Sequence, residues 1–221
     1  MKAFVITIMD NPESVKMAQR CIDSAKSTSN IVVNNFVAIT PRMNPLTLAE
    51  SFGIDHRPFT NNRYSRPENC LSCFLSHFLL WKKSVDTNED ILIFEHDAEA
   101  RDVIRTDVNF KGVLSYGQPS YGRFATPHLF GVNRLISKNY LPGAHAYMVS
   151  PKAAAILVAK AQVEPEPTDV FINNTRFDFV EEYYPWPVVA NDSFSTVQNK
   201  VGVQAKHNYR KSERDYRIID A

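Results

Sequence analysis

The sequence predicts an α/β fold, a mainly parallel sheet with helices on its flanks, and three observations carry that reading. Ala3 to Ile8 are apolar and β-branched, and Asn11-Pro12-Glu13-Ser14 then supplies a helix cap, a proline at the first helical position and an early acid. Ile91-Leu92-Ile93-Phe94 is a short, wholly apolar run between charged segments, the pattern of a central strand covered on both faces. Gly143 to Val149 reads as a further strand, and Ser150-Pro151 after it caps a helix through Ala161.

Taken in order, Val15, Ala18, Cys21, Ile22 and Ala25 recur at helical spacing, so a helix from Pro12 to about Lys26 has one apolar face. Ile31 to Val33 and Phe36 to Ile39 read as the second strand. A β-α-β start pairs its strands in parallel through a right-handed crossover and brings both strand ends to one edge of the sheet. Thr7 and Thr40, at those ends, are candidates for nucleoside contact. Residues 41 to 67 are rich in Pro, Asn and Arg and read as a loop with a short helix around Leu46 to Phe52. A strong helix follows from about Glu68 to Val85, with Leu71, Phe74, Leu75 and Phe78 on one stripe and the Lys82 stem along it. From Val103 to Tyr140, glycines interleaved with Tyr and Pro predict an irregular excursion that covers a site. No repeat or low-complexity linker interrupts the chain, so one domain is expected over residues 1–200, followed by a basic tail, 201–221.

Composition sets limits on function. Of 221 residues, 44% are hydrophobic and 22% charged, which excludes disordered and fibrous classes. Lys and Arg exceed Asp and Glu by 25 to 24, so no overall basic field of the kind that coats a duplex exists. Cys21, Cys70 and Cys73 cannot all pair internally, and Met1 to Thr7 lacks a signal-like apolar segment with a cleavage site, so a reduced, cytoplasmic chain is expected. The longest apolar run, Ala153 to Ala159, is far short of the roughly 20 residues that cross a bilayer. The 7 glycines include no G-x-G pair, which removes the Gly-rich phosphate cradles of dinucleotide-binding and P-loop enzymes. A phosphorylated ligand must be held by other means.

Glu95-His96-Asp97 ends the apolar strand, and in open α/β sheets ligands bind beyond the carboxyl ends of strands. Two carboxylates at i and i+2 can approach a hard divalent cation, which holds diphosphate oxygens without a glycine loop; the plain alternative is a solvated acidic loop. Cys70-Leu71-Ser72-Cys73 has redox-like spacing but lies on an apolar helical face with no second pair, which favours buried thiols over zinc or disulfide exchange. Tyr116, Tyr121, Phe124, Phe130 and the run Tyr183-Tyr184-Pro185-Trp186 are either sugar- or base-stacking groups or core and rim packing.

Cys73-Phe74-Leu75-Ser76-His77, Trp81-Lys82 and the strand ending in Glu95-His96-Asp97 together resemble glycosyltransferase family 25, whose members carry a C-x-x-S-H helix, a Trp-Lys one turn later and an apolar strand ending in Glu-Asp-Asp. Gly143 to Ser150 with Lys152-Ala153-Ala154, Pro167-Thr168-Asp169, and Pro187-Val188-Val189 with Ser193 to Val197 resemble its later segments in the same order, over roughly residues 1 to 200. The chain departs from the pattern at His96, where the family has an acid, and at Asp10 to Ser14, where the family usually has an Arg. The resemblance implies a GT-A-like fold, a Rossmann-like nucleotide-binding sheet. It also implies metal-dependent transfer, with Mn²⁺ or Mg²⁺, of a sugar from a nucleotide donor such as a UDP-sugar to an acceptor hydroxyl, with inversion.

On that reading Asp97 is the principal metal ligand, Glu95 a second ligand or ribose contact, and Asp169 the general base. Ser76 and His77 are either groups near the donor or a core pair that fixes the helix, and His207 is either a late metal ligand or a surface histidine. The expected acceptor is a lipo-oligosaccharide saccharide. The alternatives are a hydroxylated nucleic-acid base, to which the tail cations from Lys206 to Arg217 would speak, and a non-catalytic nucleotide- or carbohydrate-binding module.

Overall fold

Strand β1 (Lys2–Thr7) is the apolar opening run, and α1 (Pro12–Ser29) begins where the cap signal stands. Asn11 Oδ1 accepts the amide protons of Glu13 at 3.0 Å and Ser14 at 3.1 Å, and Asn30, at φ 53°, closes the helix by donating its own amide to Ala25 and Lys26. This computed structural model describes residues 1–60, 64, 66–119, 123–141, 144–190, 194–197 and 217–218. Strand β2 (Val33–Val37) is shorter than the sequence predicts, because Ile31 donates its amide back to Ala25 and so belongs to the helix end. Strands β1 and β2 pair in parallel, and β1 pairs in parallel on its other side with β3 (Ile91–Glu95), as the β-α-β reading requires.

Two short helices, α2 (Pro45–Ser51) and α3 (Arg57–Thr60), lead to α4 (Pro67–Thr87), whose apolar stripe of Leu71, Phe74, Leu75 and Phe78 continues into Trp81 and is buried along its length. Burying each of these large side chains contributes roughly 1.5–3 kcal/mol. Strand β3 is fully covered from Ile91 to Phe94, the central strand its composition predicts. A small hairpin-like pair, β4 (Ala98–Ala100) with β9 (Val188–Ala190), lies beyond its end.

The excursion expected over Val103 to Tyr140 contains two sheet strands, β5 (Val113–Ser115) and β6 (Gly131–Arg134). They span three and four residues, too few to show an alternation, and their partners define them. Strand β7 (Ala146–Val149) runs antiparallel between β3 and β5, and α5 (Pro151–Ala161), capped by Ser150, packs on α4. Helix α6 (Thr168–Phe171) follows, then β8 (Val180–Tyr184).

Strand β8 carries two buried acids, Glu181 and Glu182. Glu182 is fully buried, where Oε1 accepts the amides of Ile136 and Ser137 and Oε2 the indole N–H of Trp186; Glu181 Oε2 accepts the amide of Lys111.

The seven strands lie in the order β2-β1-β3-β7-β5-β8-β6. Strands β1, β2, β3, β5 and β8 run one way and β7 and β6 the other, so the mainly parallel α/β expectation holds. Both faces carry a core, one with α4 and α5, the other with α1. Among the described residues no helix is long and apolar enough to cross a membrane.

Candidate functional site

At the carboxyl end of β3 the side chain of Glu95 turns toward α4, where its Oε1 lies 3.2 Å from His77 Nε2. His77 Nδ1 lies 3.0 Å from the Tyr147 hydroxyl, and Trp81 Nε1 donates to that hydroxyl at 2.8 Å. One assignment leaves no buried proton unused: Trp81 N–H to Tyr147 O, Tyr147 O–H to His77 Nδ1, His77 Nε2–H to Glu95. The network therefore assigns a neutral His77 with its proton on Nε2. His77 and Trp81 stand one turn apart on α4, so both reach one hydroxyl, and His77, Trp81 and Tyr147 are all fully buried. Burial works to raise the pKa of Glu95, but the surrounding imidazoles, foremost the N–H that His77 donates to it, outweigh burial and hold the carboxyl below its ordinary value.

Asp169, at the start of α6, is a half-buried carboxyl in the same neighbourhood. Burial, and then the charge of Glu95, push it up to about 6, against the Val170 amide that donates to its Oδ1 at 3.0 Å. The two carboxyls are shifted in opposite directions, the condition under which one stays ionised and the other exchanges a proton near neutrality.

Cys73 lies one turn before His77, and its Sγ, a ring nitrogen of His77 and an oxygen of Glu95 all fall within 4.8 Å of one another, the only such group of three among the described residues. Burial, then the nearby Glu95, hold the Cys73 thiol well above its ordinary value. Cys70, whose thiol donates to the Val197 carbonyl at 3.9 Å, is pushed up to about 12 by burial, and all three cysteines are free. Cys70 and Cys73 are partly buried, short of the full burial that the apolar helical face predicts, and Cys21 is fully buried.

Asp97 stands outside that group. The strand ends at Glu95, and His96 and Asp97 form the turn that follows it. The Asp97 carbonyl accepts from Arg20 on α1 at 3.1 Å, and its carboxylate, after burial, helps raise the Cys21 thiol to about 12. His96 bridges to α1 as well: Ser14 Oγ accepts the Ile8 amide at 2.9 Å and shares a hydrogen bond with His96 Nδ1 at 2.8 Å. Burial lowers the His96 pKa to about 4 despite the charge of Glu95, so the residue in the place of the family's acid is a neutral imidazole.

The remaining site expectations fall as follows. Thr7 is buried, with its hydroxyl 2.8 Å from Asn35 Oδ1, tying β1 to β2. Ser76 Oγ accepts the Ile39 amide at 2.9 Å and donates to Ser72 O, so it joins α4 to the end of β2. Thr40 is buried, and its carbonyl starts the turn at Pro41–Met43. His207 and the tail cations from Lys206 to Arg214 lie outside the described residues, as does Tyr121. Tyr116 is core, with its hydroxyl on the Arg105 carbonyl at 2.6 Å. Phe124, Phe130, Tyr184 and Trp186 converge at one place. Sequence reasoning missed the role of Tyr147. Its signal was a buried strand tyrosine facing a helix with His and Trp one turn apart, two groups that need a shared polar partner.

Residues 1–112 match the model of glycosyltransferase family 25 (LPS biosynthesis protein). No curated protein sequence matches the chain. Among solved structures the chain is similar to the galactosyltransferase LgtC in complex with donor and acceptor sugar analogs, at 11% identity, over 86% of each chain and with a TM-score of 0.49. It is also similar to the CTP:phosphocholine cytidylyltransferase LicC from Streptococcus pneumoniae, at 14% identity, over 86% of this chain and 92% of that one, with a TM-score of 0.41. The matched residues include α1, α4 and β3, and with them His77, Trp81 and Glu95, the helix and strand on which the resemblance rested. With half its length matched by the family model, the chain belongs to glycosyltransferase family 25.

Proposed function

We propose that the protein transfers a sugar from a nucleotide-sugar donor, a UDP-sugar, to a hydroxyl of a lipo-oligosaccharide saccharide with inversion at the anomeric carbon, and that Asp169 is the general base. The observation that carries this reading is the convergence of Asp169 on Glu95 and its buried His77 support at the carboxyl edge of the sheet. An attacking hydroxyl, whose pKa lies far above neutrality, needs a carboxylate that accepts its proton as the bond forms, and a base poised near neutral pH does this best. Glu95, held ionised by the His77 N–H, presents a fixed negative oxygen beside it.

A divalent cation is implied by the family, and the Glu95 side chain, 32% exposed, offers the carboxylate oxygen that a hard ion takes. Glu95 and Asp97 would hold Mn²⁺ or Mg²⁺, which supplies neutralisation of the charge that builds on the leaving diphosphate. This chain's own groups orient Glu95 and remove the acceptor proton. The three free thiols support a reducing compartment, and we place the protein in the cytoplasm as one catalytic domain over residues 1–200 with a basic tail.

The test is turnover. UDP release from a UDP-sugar with Mn²⁺, and transfer to a saccharide acceptor, are expected in the native protein, and Asp169→Asn should lower transfer by roughly 10²–10⁴-fold. Full transfer in that variant would remove Asp169 as the base. Binding without turnover for every donor and acceptor tried would make the protein a non-catalytic module of the same fold.

A further inference from the structure

Four aromatic side chains from two separate segments meet at the far end of the sheet. The Phe130 and Tyr184 rings stack, 6.1 Å apart and 5° from parallel. Trp186 stands on edge to Tyr184 at 5.0 Å and 83°, and Phe124 on edge to Trp186 at 5.6 Å and 87°. Such stacked and edge-on pairs hold rings in fixed orientations. The indole N–H of Trp186 is tied back to the buried carboxylate of Glu182 at 3.0 Å. The array is not covered: Phe130 is 83% exposed, and Leu129, next to it in the chain, is exposed as well. Exposed apolar rings gathered in one patch mark a binding surface.

The sheet register locates the patch relative to the carboxyls. Ile93 pairs with Tyr147, Tyr147 with Ser115, and Ser115 with Glu182. Two residues further along each parallel strand, the same row contains Glu95 and Tyr184, with the Glu95 amide on the His145 carbonyl and Gly131 paired to Tyr184. Side chains in one cross-strand row leave the same face, so Tyr184 and Glu95 share both the carboxyl edge and the α4 face of the sheet. Three strand spacings separate them, roughly 14 Å at about 4.8 Å each.

We infer that Phe124, Phe130, Tyr184 and Trp186 form a binding platform for the acceptor saccharide, on which a pyranose ring distant from the reacting hydroxyl stacks. This deepens the glycosyltransferase reading and rests on it for the term acceptor. A pyranose presents a face of C–H groups that an aromatic ring's negative face attracts, while its hydroxyl rim stays in water. The separation from Glu95 exceeds a single sugar ring, so the occupant is an oligosaccharide of at least two residues that reaches from the platform to the carboxyls.

The chain supplies its own probe. It has two tryptophans: Trp81 is fully buried and hydrogen-bonded, and Trp186 belongs to the platform. Titration with methyl disaccharides of gluco, galacto and manno configuration should shift tryptophan fluorescence saturably for at least one of them. Phe130→Ala, at an exposed position that the fold does not need, should weaken that binding roughly tenfold, the scale of one lost aromatic contact. In the transfer assay the same variant should raise the acceptor KM and leave kcat and the donor KM unchanged. Binding and KM unaltered in Phe130→Ala would overturn the platform. So would a fluorescence response to phospholipid vesicles but to none of the sugars, or a dimer that Phe130→Glu dissolves. Saccharide binding that depends on Phe130 in a protein without transferase turnover would sink the catalytic reading and leave the saccharide platform standing.

Discussion

The segment up to residue 112 and the segment after it contribute to one sheet by different rules. In the first, long helices of 18 and 21 residues connect strands that pair in parallel, each beside its near neighbour in sequence. In the second, strands of three to five residues enter as β7, β5, β8 and β6, in an order unrelated to the chain, and two of them reverse direction. The chemistry is split along the same line. Glu95, His77 and Trp81 belong to the first segment, and Tyr147, Asp169 and the aromatic platform to the second. The family model's match over residues 1–112 therefore contains half of the candidate site, and beside the β3–β7 ladder the hydroxyl of Tyr147 joins the halves through side-chain hydrogen bonds.

That join gives the largest expected effect. Tyr147→Phe keeps the ring but leaves His77 Nδ1 and the Trp81 N–H buried without their partner. Each stranded group costs about 1–3 kcal/mol, so unfolding in urea should show a loss of about 2–5 kcal/mol. A loss below about 0.5 kcal/mol would mean that the two segments do not support each other through this contact.

His96 tests the first segment by itself. Its folded pKa of about 4 lies below the ordinary value of 6.5, so the unfolded chain takes up the proton first as pH falls. The stability it contributes is fully present above about 6.5 and is lost on acidification toward 4, a span that corresponds to about 3 kcal/mol. Carboxylates titrate nearby, so the measurement is the difference between the native protein and His96→Asn across that window. The native protein should lose more stability than the variant, and equal slopes would contradict a buried neutral imidazole.

Legibility in the sequence follows the same division. The capped helix after β1, the central strand at Ile91 to Phe94 and the apolar stripe of α4 were readable, because each is long enough to show a period or is bounded by a cap. Strand β5 was not, since three buried residues carry no period, and β8 was masked by Glu181 and Glu182, whose burial is compensated by amides from elsewhere in the chain. At the site, residue type and strand position pointed to Glu95. At Asp97 the i, i+2 spacing reaches less far, because the strand stops at Glu95: the Asp97 main-chain carbonyl takes Arg20 of α1, and its carboxylate acts on Cys21 of α1 and on Cys73 of α4. Glu95 and Asp169, 74 positions apart in the numbering, were associated only by family resemblance; no local pattern links them.

Asp169 sets function against stability in the second segment. Its folded pKa of about 6 is above the ordinary 3.8, so at pH 7 the fold holds an ionised group that burial and Glu95 disfavour. The sign is opposite to that of a salt-bridged carboxylate: the penalty grows as pH rises from about 4 to 6 and is constant above. Asp169→Asn should therefore stabilise the protein by about 1–3 kcal/mol at pH 7 while it lowers transfer by roughly 10²–10⁴-fold, a combination that neither a structural carboxylate nor an idle one would give. Destabilisation at pH 7 would place Asp169 in a supporting role.

Gly117 tests whether the row between Glu95 and the platform is as tightly built as its two ends. It continues β5 at the level of Glu95, and a Cβ there would lie 2.4 Å from Nε2 of the buried His145 imidazole. A ring cannot accept that contact without shifting, and His145 is among the groups whose charge acts on Glu95. Gly117→Ala should cost about 1–3 kcal/mol, the scale of overpacking a filled site, and should displace the His145 ring resonances in a nuclear magnetic resonance spectrum. It should also raise the acceptor KM more than Phe130→Ala does, because it disturbs the row at its middle rather than at its exposed end. An unchanged spectrum and KM would mean that Glu95 and the platform are connected by the sheet backbone, with no packed side chains between them.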